Sequence, residues 1–327
     1  VNQIEQPEVG IGTEPRLQAT YESDGELANN GDGTYRYTYA TDVNALPQDI
    51  LDQAADEGLD LSYEPNRTHR VAIQFDNAPG KANPYFDWVP ATGATDGAFG
   101  MHIAAIENCN LCHDKLAFHG GGRIEMEYCV TCHNPGTTDA DSTNTVDMKV
   151  MTHKLHSGRN LPSVQDGTPY VIYGFMNRAN DYSELGYPQD IRNCVNCHVG
   201  TGTDPGNPRL TLSAQGDNWN EVPGRAACGS CHEELDFDVH AGGNPDDSRC
   251  LGCHSNSGPA GSVASSHLIP EAEARKTLEA KITGVENTMP GEFPTVSFEI
   301  TNPQTGDAYD IQNDPIFTGE GSRLAVG

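Results

Sequence analysis

The sequence predicts three parts in line: a β-patterned N-terminal segment, a central segment of short helices and loops, and a shorter β-patterned segment at the C-terminal end. Three observations lead there. All ten cysteines fall in five copies of one pattern, Cys-x-x-Cys-His, in the middle of the chain. Only 36% of the 327 residues are apolar, while 35 are glycine and 21 proline, which is thin material for an ordinary sealed core. Alternation of apolar and polar side chains, the mark of half-buried strands, recurs at both ends.

Residues 1–97 carry no cysteine and read as an N-terminal β domain. In "NGDGTYRYTY" a glycine turn leads into Tyr35, Tyr37 and Tyr39 on one strand face, and in "THRVAIQF" Val71, Ile73 and Phe75 alternate with their neighbours. "LPQDILDQAADEG" reads as a short helix ended by Gly58. Residues 98–270 hold every motif. Residues 271–327 return to alternation in "TLEAKITG" and "TVSFEIT", where Val296, Phe298 and Ile300 share a face, and read as the start of a second, incomplete β domain.

The five motifs are CNLCH (Cys109, Cys112, His113), CVTCH (Cys129, Cys132, His133), CVNCH (Cys194, Cys197, His198), CGSCH (Cys228, Cys231, His232) and CLGCH (Cys250, Cys253, His254). No cysteine is left over. The first two pairs also have zinc-ribbon spacing, but a four-cysteine zinc site has no use for a histidine after each pair, and five pairs do not divide into sites that take two. A redox dithiol needs its reactive thiolate at a helix N-terminus within a βαβ unit, and here the pairs recur in chain rich in glycine and proline. Covalent haem c gives every residue a role, since two thiols form thioethers with the porphyrin vinyls and the adjacent histidine becomes the proximal iron ligand. The pattern therefore calls for five covalently attached haem c groups. From Cys109 to His254 the chain has about 29 residues for each, so the macrocycles themselves would form the core of this segment.

Each iron then needs a sixth ligand. His153 and His156 lie in "DMKVMTHKLHSG", which reads as a helix from Asp147 to Gly158; at i and i+3 they share one face and can serve two neighbouring haems. "CHDKLAFHGGG" and "CHEELDFDVHAGG" repeat one another, and in both the next motif begins ten residues after the histidine, His119 or His240. The glycines that follow, Gly120 to Gly122 and Gly242 with Gly243, would let backbone pass close to a flat ring. His267 follows the last motif. Five distal ligands are thus expected: His119, His153, His156, His240 and His267. His69 alternates with strand residues, and His102 is the remaining competitor. His119 is expected to serve a haem other than that of His113, because six residues make a tight loop around a macrocycle.

With 19 basic and 47 acidic side chains the net charge is −28, so binding to nucleic acid or to anionic membrane surfaces is excluded on charge. No apolar run approaches the roughly 20 residues that span a bilayer. Attachment to Cys-x-x-Cys-His outside the cytoplasm implies an exported chain whose leader has been removed.

"HGGGRIEMEYCVTCHNPGTTD", "DMKVMTHKLHSGRNLPSV", "YPQDIRNCVNCH", "PGRAACGSCH" and "HAGGNPDDSRCLGCH" resemble the first pentahaem domain of the OmcA/MtrC family, the outer-surface decahaem cytochromes of metal-reducing bacteria. The resemblance covers about residues 30–327. It implies a multihaem cytochrome c with flanking split-barrel or Greek-key-like β domains and bis-histidine haems. It also implies an outer-membrane surface location, an outer-membrane electron conduit or other multihaem cytochromes as partners, and metal oxides or flavins as acceptors. It favours leaving His102 out of the ligand set. The chain carries five motifs rather than ten, as a fragment of such a protein would. Two other readings are a multihaem reductase of a small molecule such as nitrite or tetrathionate, which needs an open distal site, and a self-assembling subunit of a cytochrome filament.

Overall fold

The computed structural model describes residues 1–75, 80–98, 100–203, 207–240 and 246–325. It divides into two compact units, Val1–Val263 and Ala264–Gly327.

Glycine and proline recur so often in the first unit that each of its strands is only four residues long. β1 (Asn2–Glu5) pairs with β2 (Arg16–Ala19), β3 (Glu26–Asn29) with β4 (Tyr35–Thr38), and, after α1 (Gln48–Asp56), β5 (His69–Ala72) with β6 (Tyr85–Trp88), each pair a separate antiparallel sheet. A lone two-stranded hairpin is marginal in water, so each depends on what it leans against. β2 places Leu17 against Ile50 and Ala54 of α1, with Ile4, Leu59 and Leu61 around them, and burying one such leucine contributes about 2 kcal/mol. The α1 carboxylate Glu57 accepts the Leu17 N–H at 2.6 Å, which ties the helix end to the strand. The β3–β4 hairpin has less cover: Tyr35 and Tyr39 of the expected tyrosine face remain exposed, and only Tyr37 is held, donating to Glu22 at 3.1 Å.

The β5 strand stops before the expected Val71, Ile73, Phe75 face is complete. Ile73 still donates to the Pro84 carbonyl at 2.9 Å, but Pro84 has no N–H to return the bond. Ile73 and Phe75 each end 50% exposed. The hairpin instead buries polar partners. Arg70 makes a two-pronged ion pair with Asp87, 2.7 Å on each prong, and its Nη1 donates to the Glu127 carbonyl at 3.2 Å. His102 completes the set, 2.9 Å from Asp87 and 3.3 Å from the Glu127 carboxylate. Burial by itself would raise the Asp87 carboxyl, yet the bonds from Arg70 and His102 outweigh it and hold the group below its ordinary range.

The central stretch continues with α2 (Ile106–His113), α3 (Met126–Cys129), α4 (Met148–Ser157) and α5 (Pro162–Gln165), the hairpin β7 (Val171–Gly174) with β8 (Arg178–Asp181), and α6 (Asn218–Glu221), α7 (Arg225–Gly229) and α8 (Cys250–Cys253). Its buried side chains are largely polar, Asn108, Asp139, Asp141, Ser142, Ser157 and Ser230 among them. Asp141 shows how they are satisfied: its Oδ1 accepts the Val9 N–H at 2.7 Å, and its carbonyl accepts from Ile11 and Gly12 at 2.8 Å each. The N-terminal arm thereby clamps the loop between the second motif and α4.

The second unit begins within α9 (Val263–Ser266) and holds α10 (Pro270–Arg275), the hairpin β9 (Glu279–Glu286) with β10 (Thr295–Thr301), and α11 (Pro315–Thr318). A bulge between Ser297 and Phe298 shifts the register of that hairpin, so Val296 lies opposite Val285 and Phe298 opposite Ile282. Among the described residues no helix is long and apolar enough to cross a membrane.

The buried Arg70–Asp87 pair yields a prediction. Removing one partner strands the other, so Arg70→Met should cost about 3 kcal/mol, read as a lowered unfolding midpoint at pH 7. Because the folded-state value of Asp87 lies below its unfolded one, the contribution is present above about pH 4 and is lost as pH falls through the folded value. The midpoints of wild type and Asp87→Asn should therefore converge in acid; a gap that stays constant from pH 7 to pH 3 would contradict this account.

Candidate haem-ligating site

Each motif is one helical turn. In four of them the histidine N–H bonds back to the carbonyl of the first cysteine: His133 to Cys129 and His198 to Cys194 at 2.9 Å, His232 to Cys228 at 2.9 Å, and His254 to Cys250 at 2.8 Å. The first motif ends α2. Positions i, i+3 and i+4 of such a turn lie on one side, so two sulfurs and one imidazole face the same way. All ten cysteines are unbridged. Burial pushes the Cys109 thiol up to about 12 and those of Cys129 and Cys194 up to about 11, the opposite of what a thiolate nucleophile requires.

The imidazoles come in facing pairs. Ring centroids lie 5.9 Å apart for His113 with His156, 5.9 Å for His119 with His133, 6.0 Å for His153 with His198 and 6.1 Å for His240 with His254. These rings are too far apart to stack on one another. Two imidazoles on opposite sides of a single iron, with metal–nitrogen bonds of about 2.0 Å, would have centroids roughly 6 Å apart. Each pair also joins one motif histidine to one that lies outside the motifs, as proximal and distal ligands do. The donor set fits haem c.

Helix α4 supplies two of the four outer histidines. Asp147 caps its start by accepting the Lys149 N–H at 3.2 Å, and Gly158 ends it at φ 44°. His153 and His156 sit three residues apart, facing the third and first motifs. Between them Lys154 reaches Glu233, next to the fourth motif, at 2.5 Å. His119 is presented differently, from a turn closed by Phe118 N–H to the Arg123 carbonyl at 3.0 Å, in which His119, Gly120 and Gly121 have φ of 51°, 76° and 82°. Left-handed backbone at three successive residues suits glycine and is strained for histidine. Gly242 and Gly243, the corresponding pair after His240, lie outside the described residues. His267 lies in the second unit, in the turn after α9.

Backbone carbonyls select the imidazole tautomer. His133 Nδ1 lies 2.9 Å from the Val146 carbonyl and His156 Nδ1 lies 2.8 Å from that of Thr152. A carbonyl only accepts, so the proton sits on Nδ1 and Nε2 keeps its lone pair for a metal. Burial lowers His119 and His153 to about 4, which leaves both neutral at pH 7 as ligation needs. Two further histidines outside the motifs are otherwise engaged: His69 pairs with Trp88 across β5–β6, and His102 is held between Asp87 and Glu127. Neither that network nor the carbonyl acceptors has a local sequence signature. Among the described residues no three His, Cys, Asp or Glu side chains converge as a bare metal ion would require.

Two side chains tie the motifs together. Asn108 of α2, immediately before the first motif, donates to the Cys197 carbonyl of the third at 3.1 Å, and Ser157 of α4 lies 3.4 Å from Cys231 of the fourth.

Comparison with known proteins adds a lineage. The family described as outer membrane cytochrome MtrC/MtrF-like, domains II/IV, matches residues 101–279, and the OmcA-like N-terminal domain matches residues 2–95. The multiheme cytochrome MtrC of Shewanella baltica (strain OS185) is 25% identical over 243 residues, 71% of this chain and 29% of that protein. The crystal structure of the outer membrane decaheme cytochrome OmcA is similar with a TM-score of 0.66 and 26% identity, over 93% of this chain and 44% of that one. The chain spans less than half the length of either relative.

The end of α4 is set by a contact that can be tested. A Cβ on Gly158 would lie 2.3 Å from the Leu185 carbonyl oxygen, whereas Gly167, also at positive φ (92°), has no atom within 4 Å of such a carbon. Both substitutions to alanine carry left-handed strain of about 1–3 kcal/mol, and only Gly158→Ala adds a collision. It should lower the thermal midpoint clearly further than Gly167→Ala. Equal losses would mean that the α4 terminus yields without cost.

Proposed function

The chain belongs to the outer membrane cytochrome MtrC/MtrF-like family, and from that membership together with the paired imidazoles we propose that it conducts electrons through five bis-histidine haem c groups at the outer-membrane surface. The carrying observation is the set of four imidazole pairs separated by 5.9–6.1 Å. Haem c supplies reversible one-electron chemistry when bound; everything else falls to the chain. Cys109 with Cys112, Cys129 with Cys132, Cys194 with Cys197, Cys228 with Cys231 and Cys250 with Cys253 hold the five groups. His113, His133, His198, His232 and His254 are the proximal ligands. His156, His119, His153 and His240 are the distal partners of the first, second, third and fifth, on the ring pairs described. His267 carries over from the sequence as the fifth distal ligand.

Four motif histidines already have a second imidazole opposite them, which supports electron passage over reduction of one small molecule at those positions. The bond from Asn108 to the third motif and the approach of Ser157 to the fourth support close placement of the first, third and fourth carriers. Sources and acceptors follow the family: an outer-membrane electron conduit or another multihaem cytochrome on one side, metal oxides or flavins on the other.

Intact mass tests the count, because five thioether-bound haems should add five haem masses that survive acid-acetone extraction. Bound zinc without iron would overturn the reading. Single alanine substitutions test the ligands. His119, His153, His156, His240 and His267 should each turn one low-spin haem of five to high spin in the ferric spectrum, while His69→Ala and His102→Ala should leave all five low-spin. Function itself is tested with acceptors: flavins and chelated ferric iron should both be reduced. A saturable activity confined to one small anion would favour a reductase instead.

A further inference from the structure

We infer that Arg123 raises the reduction potential of the haem held by the second motif. The inference rests on the ligand reading above, in which His119 and His133 share one iron. Arg123 pairs with Phe118 across the turn that presents His119: Phe118 N–H donates to the Arg123 carbonyl at 3.0 Å, and Arg123 N–H returns the bond at 3.3 Å. Arg123 is half-buried. Its guanidinium lies 5.5 Å from the ring centroid of Tyr128, the buried residue immediately before Cys129, and 5.4 Å from that of Tyr21. Its Nε donates to Gln74 at 3.0 Å. The cation is therefore pinned between two aromatic rings and a neutral amide, beside the second motif.

What it is not paired with matters as much. The chain has 47 acidic side chains against 19 basic ones, and Arg67, Arg70, Lys154, Arg192, Arg225, Lys276 and Lys281 all sit in ion pairs. None of the ion pairs among the described residues includes Arg123. A cation held this way keeps its field, since no carboxylate cancels it and fixed geometry replaces solvent reorganisation. The turn that carries Arg123 also carries His119, four residues earlier, and the Tyr128 ring places the guanidinium next to Cys129.

Reduction places one electron, taken from the adjoining carrier, on an iron whose net charge falls by one. A fixed positive charge favours the reduced form, and outer-sphere charge and hydrogen bonding are among the levers by which a protein tunes such a site.

The test is a spectroelectrochemical titration of the haem-loaded chain, with intact mass and a low-spin ferric spectrum checked first. A chain without haem or with high-spin iron defeats the ligand reading; a correctly loaded chain isolates the inference. Arg123→Gln should move one of five redox components to lower potential and leave the other four in place, while Arg123→Lys should keep that component near its original position. Gln74→Glu supplies a second route, since it sets a carboxylate against the guanidinium without removing it, and should shift the same component in the same direction. An unchanged titration in both Arg123→Gln and Gln74→Glu overturns the inference. So does a shift in Arg123→Lys as large as in Arg123→Gln, which would assign the side chain a structural role only.

Discussion

Two imidazoles held with their centroids roughly 6 Å apart, four times over, impose a demand that no single secondary-structure element meets. A motif turn brings two sulfurs and one histidine to the same side within five residues, and that much is local. The opposing ring has to arrive from elsewhere in the chain and stop at the right depth. α4 does this for two motifs at once because residues three apart on a helix share a face. A strained left-handed turn does it for the second, with His119 at φ 51°. Carbonyls of Val146 and Thr152 then fix the ring nitrogens.

The central stretch buries polar side chains alongside apolar ones such as Leu161 and Val199, because its interior includes loops whose N–H groups must bond to something. Asp139 and Asp141 serve that purpose, Asp139 accepting the Tyr173 N–H at 2.7 Å and Asp141 those of Glu8 and Val9. An apolar cluster survives in the N-terminal part, where Leu17, Ile50 and Ala54 pack. Acidic side chains thus act inside as loop organisers and outside as the source of the net charge.

What could be read in advance was whatever depends on near neighbours in sequence. The five motifs, the α1 helix and α4 with Asp147 before it and Gly158 after it follow from patterns within a few residues, and the structure has those helices. The expected Val71, Ile73, Phe75 face failed for a reason also local, the missing N–H of Pro84, whose effect appears only once the partner strand is known. The ring pairs divide. His119 with His133 and His240 with His254 share one spacing, that of the sequence repeat, whereas His153 finds His198 and His113 finds His156 through chain reversals of more than forty residues, and no spacing rule carries that far. The Arg70–Asp87–His102 set is likewise assembled from two strands and a loop, and each member looks like an ordinary surface residue in the sequence.

α4 also constrains how the molecule can move. His153 and His156 cannot shift independently, so a displacement of the helix that lengthened the approach to the third motif would disturb the first as well. Lys154 and Ser157 add ties to the region of the fourth motif, through Glu233 and Cys231, and Asn108 ties the first motif to the third by bonds to Cys197 and Thr211. Motion of α4 would therefore carry the first, third and fourth motifs together. A structure cross-linked in this way is suited to holding carriers at fixed separations, and poorly suited to opening one of them to a substrate. That rigidity is the physical ground, beyond lineage, for reading the central stretch as a conductor.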